Sequence, residues 1–222
     1  MLPSGRRLRR HLILAALSLI LVAVVVAAFH TQDPRQRLSV ATAYASLALL
    51  VYVLLIGPLN VIRGRPNPVS TNLRRDTAIW GGMLGLAHVI IGLQVHLHGK
   101  MLQYFFNPPE KAARIPLRLD GFGMANDSGL VAALLLVLLL ALSNDLSLRR
   151  LGTSRWKALQ RTNYVAMALV VGHGALYQLA ERRTLDFVAL FAALALVAIG
   201  AQLVGFRRTQ DRAIMRRGST TE

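Results

Sequence analysis

Six long apolar segments constrain the fold more than any other feature of this chain. They cover residues 11–29, 41–62, 77–98, 128–143, 159–179 and 185–206, and the fourth is short enough that we expect it to start earlier, near Met124. A helix needs about 20 mostly apolar residues to cross a bilayer core of about 30 Å. The sequence therefore predicts an all-α integral membrane bundle of six transmembrane helices, forming one domain over residues 1–222.

The positive charges alternate between the two sides that such a bundle would have. Of the 26 lysines and arginines, 18 lie in the N-terminus, the 63–76 and 144–161 loops and the C-terminal tail, and 8 lie in the other three loops. This bias predicts that both termini are cytoplasmic. The net charge of +16 is thus interpreted as a topology signal with some attraction to anionic lipid, not as nucleic-acid binding. We expect a plasma (inner) membrane location in a bacterium.

The composition also excludes several kinds of chemistry. The chain has no cysteine, which rules out disulfides, iron–sulfur clusters and thiol catalysis. It contains neither a dinucleotide-binding glycine motif nor a P-loop. Because the six segments use up the chain, no soluble nucleotide-binding domain is expected, and electrons for any redox reaction would come from another molecule.

Two histidines, His88 and His173, lie in the middle of the third and fifth segments. Ionisable side chains at membrane depth are costly and are candidate functional groups. Both have glycine neighbours, which would clear space beside each imidazole for a flat macrocycle. Their distances from the segment starts (Thr77 and Leu159) differ by only about 4.5 Å along the helix axis. Two imidazoles at matched depth predict the axial ligands of one haem b iron. The competing interpretation is that the glycines pack helices against each other.

Four further features have open interpretations. His96 and His98 end the third segment. They are either solvated polar groups, or they contact a haem propionate, form a labile metal site or serve as an alternative ligand of the iron.

Pro58 is expected to kink the second helix or mark its last turn. The 99–127 loop could lie at the interface or cap the bundle. The 144–161 loop is either a topology signal anchored by Trp156 or a docking surface for an acidic partner.

The third and fifth segments resemble the ferric reductase-like transmembrane domain superfamily. The stretches that carry the resemblance are NLRRDTAIWGGMLGLAHVIIGLQVHLHG (72–99) and SNDLSLRRLGTSRWKALQRTNYVAMALVVGHGALYQ (143–178). Among its members, the chain looks nearest to haem-binding membrane subunits such as that of the bacterial periplasmic methionine-sulfoxide reductase system. The resemblance implies six helices, with His88 and His173 as ligands of an outer haem.

The resemblance also draws attention to Arg74 and Gln160. Gln160 lies thirteen residues before His173, where many members have the histidine of an inner haem, and Arg74 lies fourteen before His88. Glutamine is a poor iron ligand, so the sequence predicts one haem and leaves a second in doubt. Arg74 and Gln160 could instead hold a propionate, a quinone or a weakly ligated haem, or merely satisfy helix ends.

The sequence thus predicts an oxidoreductase component that relays electrons. A cytoplasmic flavoprotein or a quinol would donate them, and an acceptor on the outer side would receive them. One alternative is a metal-ion transporter using His88, His96, His98 and His173, against which the segment cores hold no Asp or Glu. The other is a scaffold subunit that has lost its haem.

Overall fold

The computed structural model describes residues 5–65, 72–97, 100–108 and 116–218, with side chains as far as residue 212. Its regular structure is entirely helical, which confirms the all-α prediction. Apart from a short 3-10 helix at Met101–Tyr104, the elements are α1 (Gly5–Ala28), α2 (Pro34–Ile62), α3 (Asn72–Gly92), α4 (Gly121–Leu142), α5 (Asp145–Gln160), α6 (Thr162–Ala180) and α7 (Leu185–Gly218).

Four of these helices are long and apolar enough to cross a membrane: α1, α2, α4 and the Leu185–Arg212 part of α7. The chain therefore has the helices of a membrane protein. Among the described residues, α3 and α6, which carry His88 and His173, are not in this group of four. Both have polar residues in their first turns and a histidine among the apolar residues that follow.

Several predicted boundaries differ from the structure. The third segment was predicted to reach residue 98, but α3 ends at Gly92 and turns follow it. The fourth helix does begin early, because the Asp120 carboxylate accepts the Gly123 N–H at 2.7 Å and caps α4. The predicted 144–161 loop is largely helical: Asn144 caps α5 there, and Gly152, with φ of 71°, divides α5 into two short helices.

Five helices form a closed ring in the order α2, α3, α4, α6, α7, and each packs against the next. The first helix packs outside the ring on α2 and α3, and α5 packs against α4 and α6. Within the described parts of the chain, no Cα atom of α3 lies within 8 Å of a Cα atom of α6. The two histidine-bearing helices therefore face each other across the interior of the ring.

The two ends of the bundle differ in chemistry. We call the end where α3 and α6 begin the basic end, because the N-terminal arginines of α1 and the cations of α5 gather there. We call the opposite end the cap end, because the Met101–Tyr104 segment folds over it. Tyr104 is almost completely buried there and donates to the carbonyl of Gly92 or His96 at 3.1 Å, which supports the capping interpretation of the 99–127 loop.

A proline within α2 is compensated by α7. Pro58 has no N–H, so it leaves the Leu54 carbonyl without its helical partner. The Gln202 side-chain amide on α7 donates to that carbonyl at 2.7 Å. The helix thus continues to Ile62, and the Leu54 carbonyl forms a hydrogen bond that joins α2 to α7.

Candidate functional site

His88 and His173 meet in the interior of the ring. Their ring centroids are 6.1 Å apart and their planes are inclined at 72°. His88 lies 16 residues from the start of α3 and His173 lies 11 residues from the start of α6. The two rings therefore lie next to each other, although both helix starts differ from the predicted ones.

Backbone carbonyls hold one nitrogen of each imidazole. His88 Nδ1 lies 2.9 Å from the Ser39 carbonyl and 3.1 Å from the Ser39 hydroxyl. His173 Nδ1 lies 2.8 Å from the Ala125 carbonyl. A carbonyl can only accept, so Nδ1 carries the proton in both rings and Nε2 is left as the lone-pair nitrogen. This is how proteins usually orient a histidine that binds a metal.

The glycines of α3 have a different role from the one expected. A Cβ at Gly81 or Gly85 would lie 3.1–3.3 Å from side chains of α2 and α4, and one at Gly92 would lie 3.3 Å from the Ser39 hydroxyl. The interpretation that they clear space beside His88 is therefore wrong in the main, and they chiefly allow helices to pack closely. The same holds on α6, where Gly174 packs against the Phe191 ring.

A glycine that the sequence did not single out makes room for the site. A Cβ at Gly129 on α4 would lie 2.5 Å from His173 Nδ1 and 2.8 Å from its Cε1. The His173 ring can donate its hydrogen bond to the Ala125 carbonyl only because position 129 has no side chain. The sequence gives no signal for this role, because Gly129 is one of three glycines in α4 and directly follows the polar residues Asn126–Ser128. Only the position of His173 on α6 reveals it.

The histidine pair lines a cavity of about 260 Å³. Most of its wall is aliphatic or aromatic, and its polar groups lie mainly toward the cap end, where Gln36, His96, Gln178 and Arg183 contribute. The Gln178 side chain donates to the Tyr44 hydroxyl at 2.7 Å, while its carbonyl oxygen is buried without a partner. The cavity is thus amphipathic, with an apolar body and a polar rim.

His96 lies at this rim in an ion-pair cluster. Its Nε2 is 3.2 Å from Glu181, which also accepts from Gln36 at 3.2 Å and lies 4.0 Å from Arg183. Its backbone N–H donates to the Tyr104 hydroxyl at 2.8 Å. The expectation of a merely solvated His96 is therefore incomplete, and His98 lies outside the described residues.

A series of aromatic contacts connects the histidine pair with the cap end. His173 lies 4.9 Å from Tyr177, Tyr177 lies 5.9 Å from Phe122, and Phe122 lies 5.6 Å from Tyr104, all between ring centroids. Arg118 stacks on Phe122, with its guanidinium carbon 4.4 Å from the ring centroid. Its guanidinium also bonds Asp120 and holds the pKa of that carboxyl below its usual value.

Arg74 and Gln160 come together in a second cavity of about 360 Å³ at the basic end. Leu50, Leu136 and Val170 line both cavities, so the second lies directly beside the first. No histidine or carboxylate is found among the described residues that line it. Arg74 and Gln160 therefore line one cavity, and this set of residues offers no imidazole to an iron.

The basic end holds a buried carboxylate that the sequence reasoning missed. Asp76 is fully buried and pairs with Arg10 at 3.0 Å, Arg7 at 3.5 Å and His11 at 3.6 Å. The statement that the segment cores hold no acid did not cover Asp76, which lies one residue before the predicted third segment but within α3. His11 also accepts a hydrogen bond from Trp80 at 3.2 Å.

A second ion pair at this end joins α3 to α5. Arg75 binds the carboxylate of Asp145, the first residue of α5. The Arg75 hydrogen bond and charge hold the pKa of Asp145 below its usual value. Among the residues that the structure describes, no three histidine or carboxylate side chains form a group that could hold a metal ion.

No protein-family model matches this chain, and no curated protein matches it.

Proposed function

We propose that this protein is a membrane b-type haem protein that relays electrons across the bilayer. His88 and His173 are the axial ligands of one haem iron between α3 and α6. The proposal includes six transmembrane helices, with α3 and α6 crossing the membrane, and a cytoplasmic basic end. A cytoplasmic flavoprotein or a quinol donates electrons, and an acceptor on the outer side receives them.

The observation that carries the proposal is the separation of the two imidazoles. With metal–nitrogen bonds of about 2.0 Å, two imidazoles on opposite sides of one metal have centroids about 6.3 Å apart. The centroids of His88 and His173 are 6.1 Å apart, on helices whose backbones do not touch. Each Nδ1 is held by a carbonyl, so each Nε2 is available to a ligand.

The surroundings of the pair suit a large apolar cofactor with an anionic edge. The cavity of about 260 Å³ is close to the lower limit of about 300 Å³ for small-molecule sites. A porphyrin would therefore need flexible wall side chains, such as that of Leu136, to rotate outward. The polar groups of the cap end, with Arg183 among them, would meet its propionates.

The chain's own residues would give the site its function in three ways. The Ser39 and Ala125 carbonyls orient the two imidazoles and increase their basicity. The apolar wall excludes water from the site. Bound haem would supply a one-electron iron couple, and with His88 and His173 both holding the iron no coordination site would be left for a substrate. The series from His173 through Tyr177 and Phe122 to Tyr104 offers a contact path to the cap end.

An absorption spectrum of the detergent-purified protein, oxidised and then reduced with dithionite, tests the proposal. We expect a sharp Soret and α band on reduction and one haem per chain by pyridine haemochrome. His88→Ala and His173→Ala should lose the bands, whereas His30→Ala, which changes an exposed histidine, should keep them. Circular dichroism of each variant separates loss of haem from loss of fold.

A colourless wild-type protein after expression with haem supplied would contradict the proposal. So would bands that persist in both His88→Ala and His173→Ala, since another pair of ligands would then hold the iron.

A further inference from the structure

The cavity at the basic end has the chemistry of a site for an anionic amphiphile. Four cations line it (Arg74, Arg75, Lys157 and Arg161), and its deeper wall is formed by apolar side chains of α2, α4 and α6. Each Lys or Arg near an anionic membrane surface contributes about 1 kcal/mol to the free energy of binding to anionic lipid. Here the cations converge on one cavity, where a single head group can meet several of them.

Buried polar atoms that lack partners indicate which groups a ligand would supply. The Arg75 side chain is 10% exposed and its Nε has no hydrogen-bond partner, although its NH1 binds Asp145. The Gln160 amide nitrogen and the Asn163 amide oxygen are also buried without partners. Two donors and one acceptor left unpaired are costly. A phosphate would accept from the donors, and a hydroxyl group would donate to Asn163.

We infer that this cavity binds one anionic phospholipid whose head group carries both a phosphate and hydroxyl groups, as in phosphatidylglycerol. The phosphate lies among the four cations, and an acyl chain enters the apolar part beside Leu50 and Leu136. A quinone would bring no negative charge to this cation-lined cavity, and an iron would find no imidazole among the described residues that line it. The site is independent of the haem proposal, since it uses neither His88 nor His173.

Trp156 provides an internal reporter, because it is buried, lines the cavity and is held by a hydrogen bond from its indole N–H to the Leu142 carbonyl at 3.0 Å. The chain has two tryptophans, so Trp80→Phe leaves Trp156 alone. In nanodiscs, brominated phosphatidylglycerol should quench Trp156 several-fold more strongly than brominated phosphatidylcholine at equal mole fraction. Native mass spectrometry should show one retained phosphatidylglycerol per chain.

Matched variants separate a specific site from general surface charge. Arg74→Gln/Lys157→Gln/Arg161→Gln should reduce the selectivity for phosphatidylglycerol by about fivefold for each cation removed. The control Arg155→Gln/Arg207→Gln/Arg208→Gln removes the same charge from exposed positions of the basic end and should leave the selectivity within about twofold. Circular dichroism and the haem spectrum check that both proteins are folded.

Four results would overturn the inference. They are equal quenching by the two lipids, an equal loss of selectivity in the control variant, displacement of the lipid by millimolar inorganic phosphate, and a count of two haems per chain. The last two would identify a free phosphate or a second haem as the occupant. None of the four bears on whether His88 and His173 bind the first haem.

Discussion

At Gly129 the lack of a side chain determines where the His173 ring can lie. The ring needs the space that a Cβ would occupy in order to reach the Ala125 carbonyl. His88 depends in the same way on Ser39, whose carbonyl and hydroxyl both lie within hydrogen-bond distance of its Nδ1. The orientation of both imidazoles therefore depends on residues from α2 and α4 that are not themselves ligands.

Gly129→Ala should weaken haem binding by about 10- to 100-fold, the usual cost of disturbing a group that orients a metal ligand. The added methyl would displace His173 from its carbonyl partner. Haem retention per chain, measured by titrating haem into the apoprotein, checks this. Gly172→Ala is the matched control, because nothing lies within 4 Å of a Cβ there, and its affinity should equal that of the wild type. Unchanged haem affinity in Gly129→Ala would show that the Ala125 hydrogen bond does not orient the ligand.

Little of this residue-level arrangement was predictable. Histidine in an apolar segment is conspicuous because its polarity contrasts with its neighbours, so His88 and His173 could be identified from the sequence. Gly129 and Ser39 could not, since a small residue acquires its role only from what lies opposite it on another helix. Asp76 was missed for a related reason, as its burial comes from α1 folding over it.

Each helix of the ring is adapted to its neighbours by a few polar contacts. Pro58 leaves the Leu54 carbonyl of α2 without a helical partner, and the Gln202 amide of α7 donates to it. Asp76 of α3 binds the first turns of α1 through ion pairs with two arginines. In an apolar environment each such contact contributes strongly to stability, because no water is present to form hydrogen bonds with a polar group that loses its partner.

Gln202→Leu should destabilise the protein by about 1–3 kcal/mol, the cost of an unsatisfied buried carbonyl. SDS titration from mixed micelles, followed by far-UV circular dichroism, measures the free energy of unfolding. In a Pro58→Ala background the new N–H can bond the Leu54 carbonyl, so Gln202→Leu should cost much less. An equal cost in both backgrounds would mean that Gln202 stabilises the bundle in some way unrelated to Pro58.

Asp76→Asn should loosen the start of α1. Hydrogen bonds between charged groups contribute about 1.5–3 kcal/mol, so amide exchange in the first two turns of α1 should accelerate by at least about tenfold. Hydrogen–deuterium exchange with peptide resolution measures this. Asp211→Asn neutralises an exposed carboxylate at the same end and should leave α1 unchanged. Equal protection in Asp76→Asn and wild type would assign the position of α1 to apolar packing alone.

For the whole molecule, the two ends define a direction across the membrane. Cations of α1, α3, α5 and α7 gather at the basic end, and the cap end carries the rim of the histidine cavity. The two cavities lie side by side between these ends. The histidine cavity lies nearer the cap end, which suits the proposed delivery of electrons on the outer side.

The absence of native cysteine allows a clean test of this orientation. In intact cells a membrane-impermeant maleimide should label Leu102→Cys at the cap end, where Leu102 is 74% exposed. Arg155→Cys on α5 should react only after the cells are opened. The reverse pattern would place the basic end outside and contradict the cytoplasmic assignment of both termini.

The sequence by itself determined the all-helical class, the apolar segments, the concentration of cations at one set of loops and the two buried histidines. These properties follow from local composition and from the period of the helix. Only the tertiary structure decided that α3 and α6 face each other without touching, that Gly129 and two carbonyls orient the imidazoles, and that Arg74 and Gln160 share a cavity with Lys157. Such facts depend on which helices become neighbours, and no stretch of one helix specifies its partner.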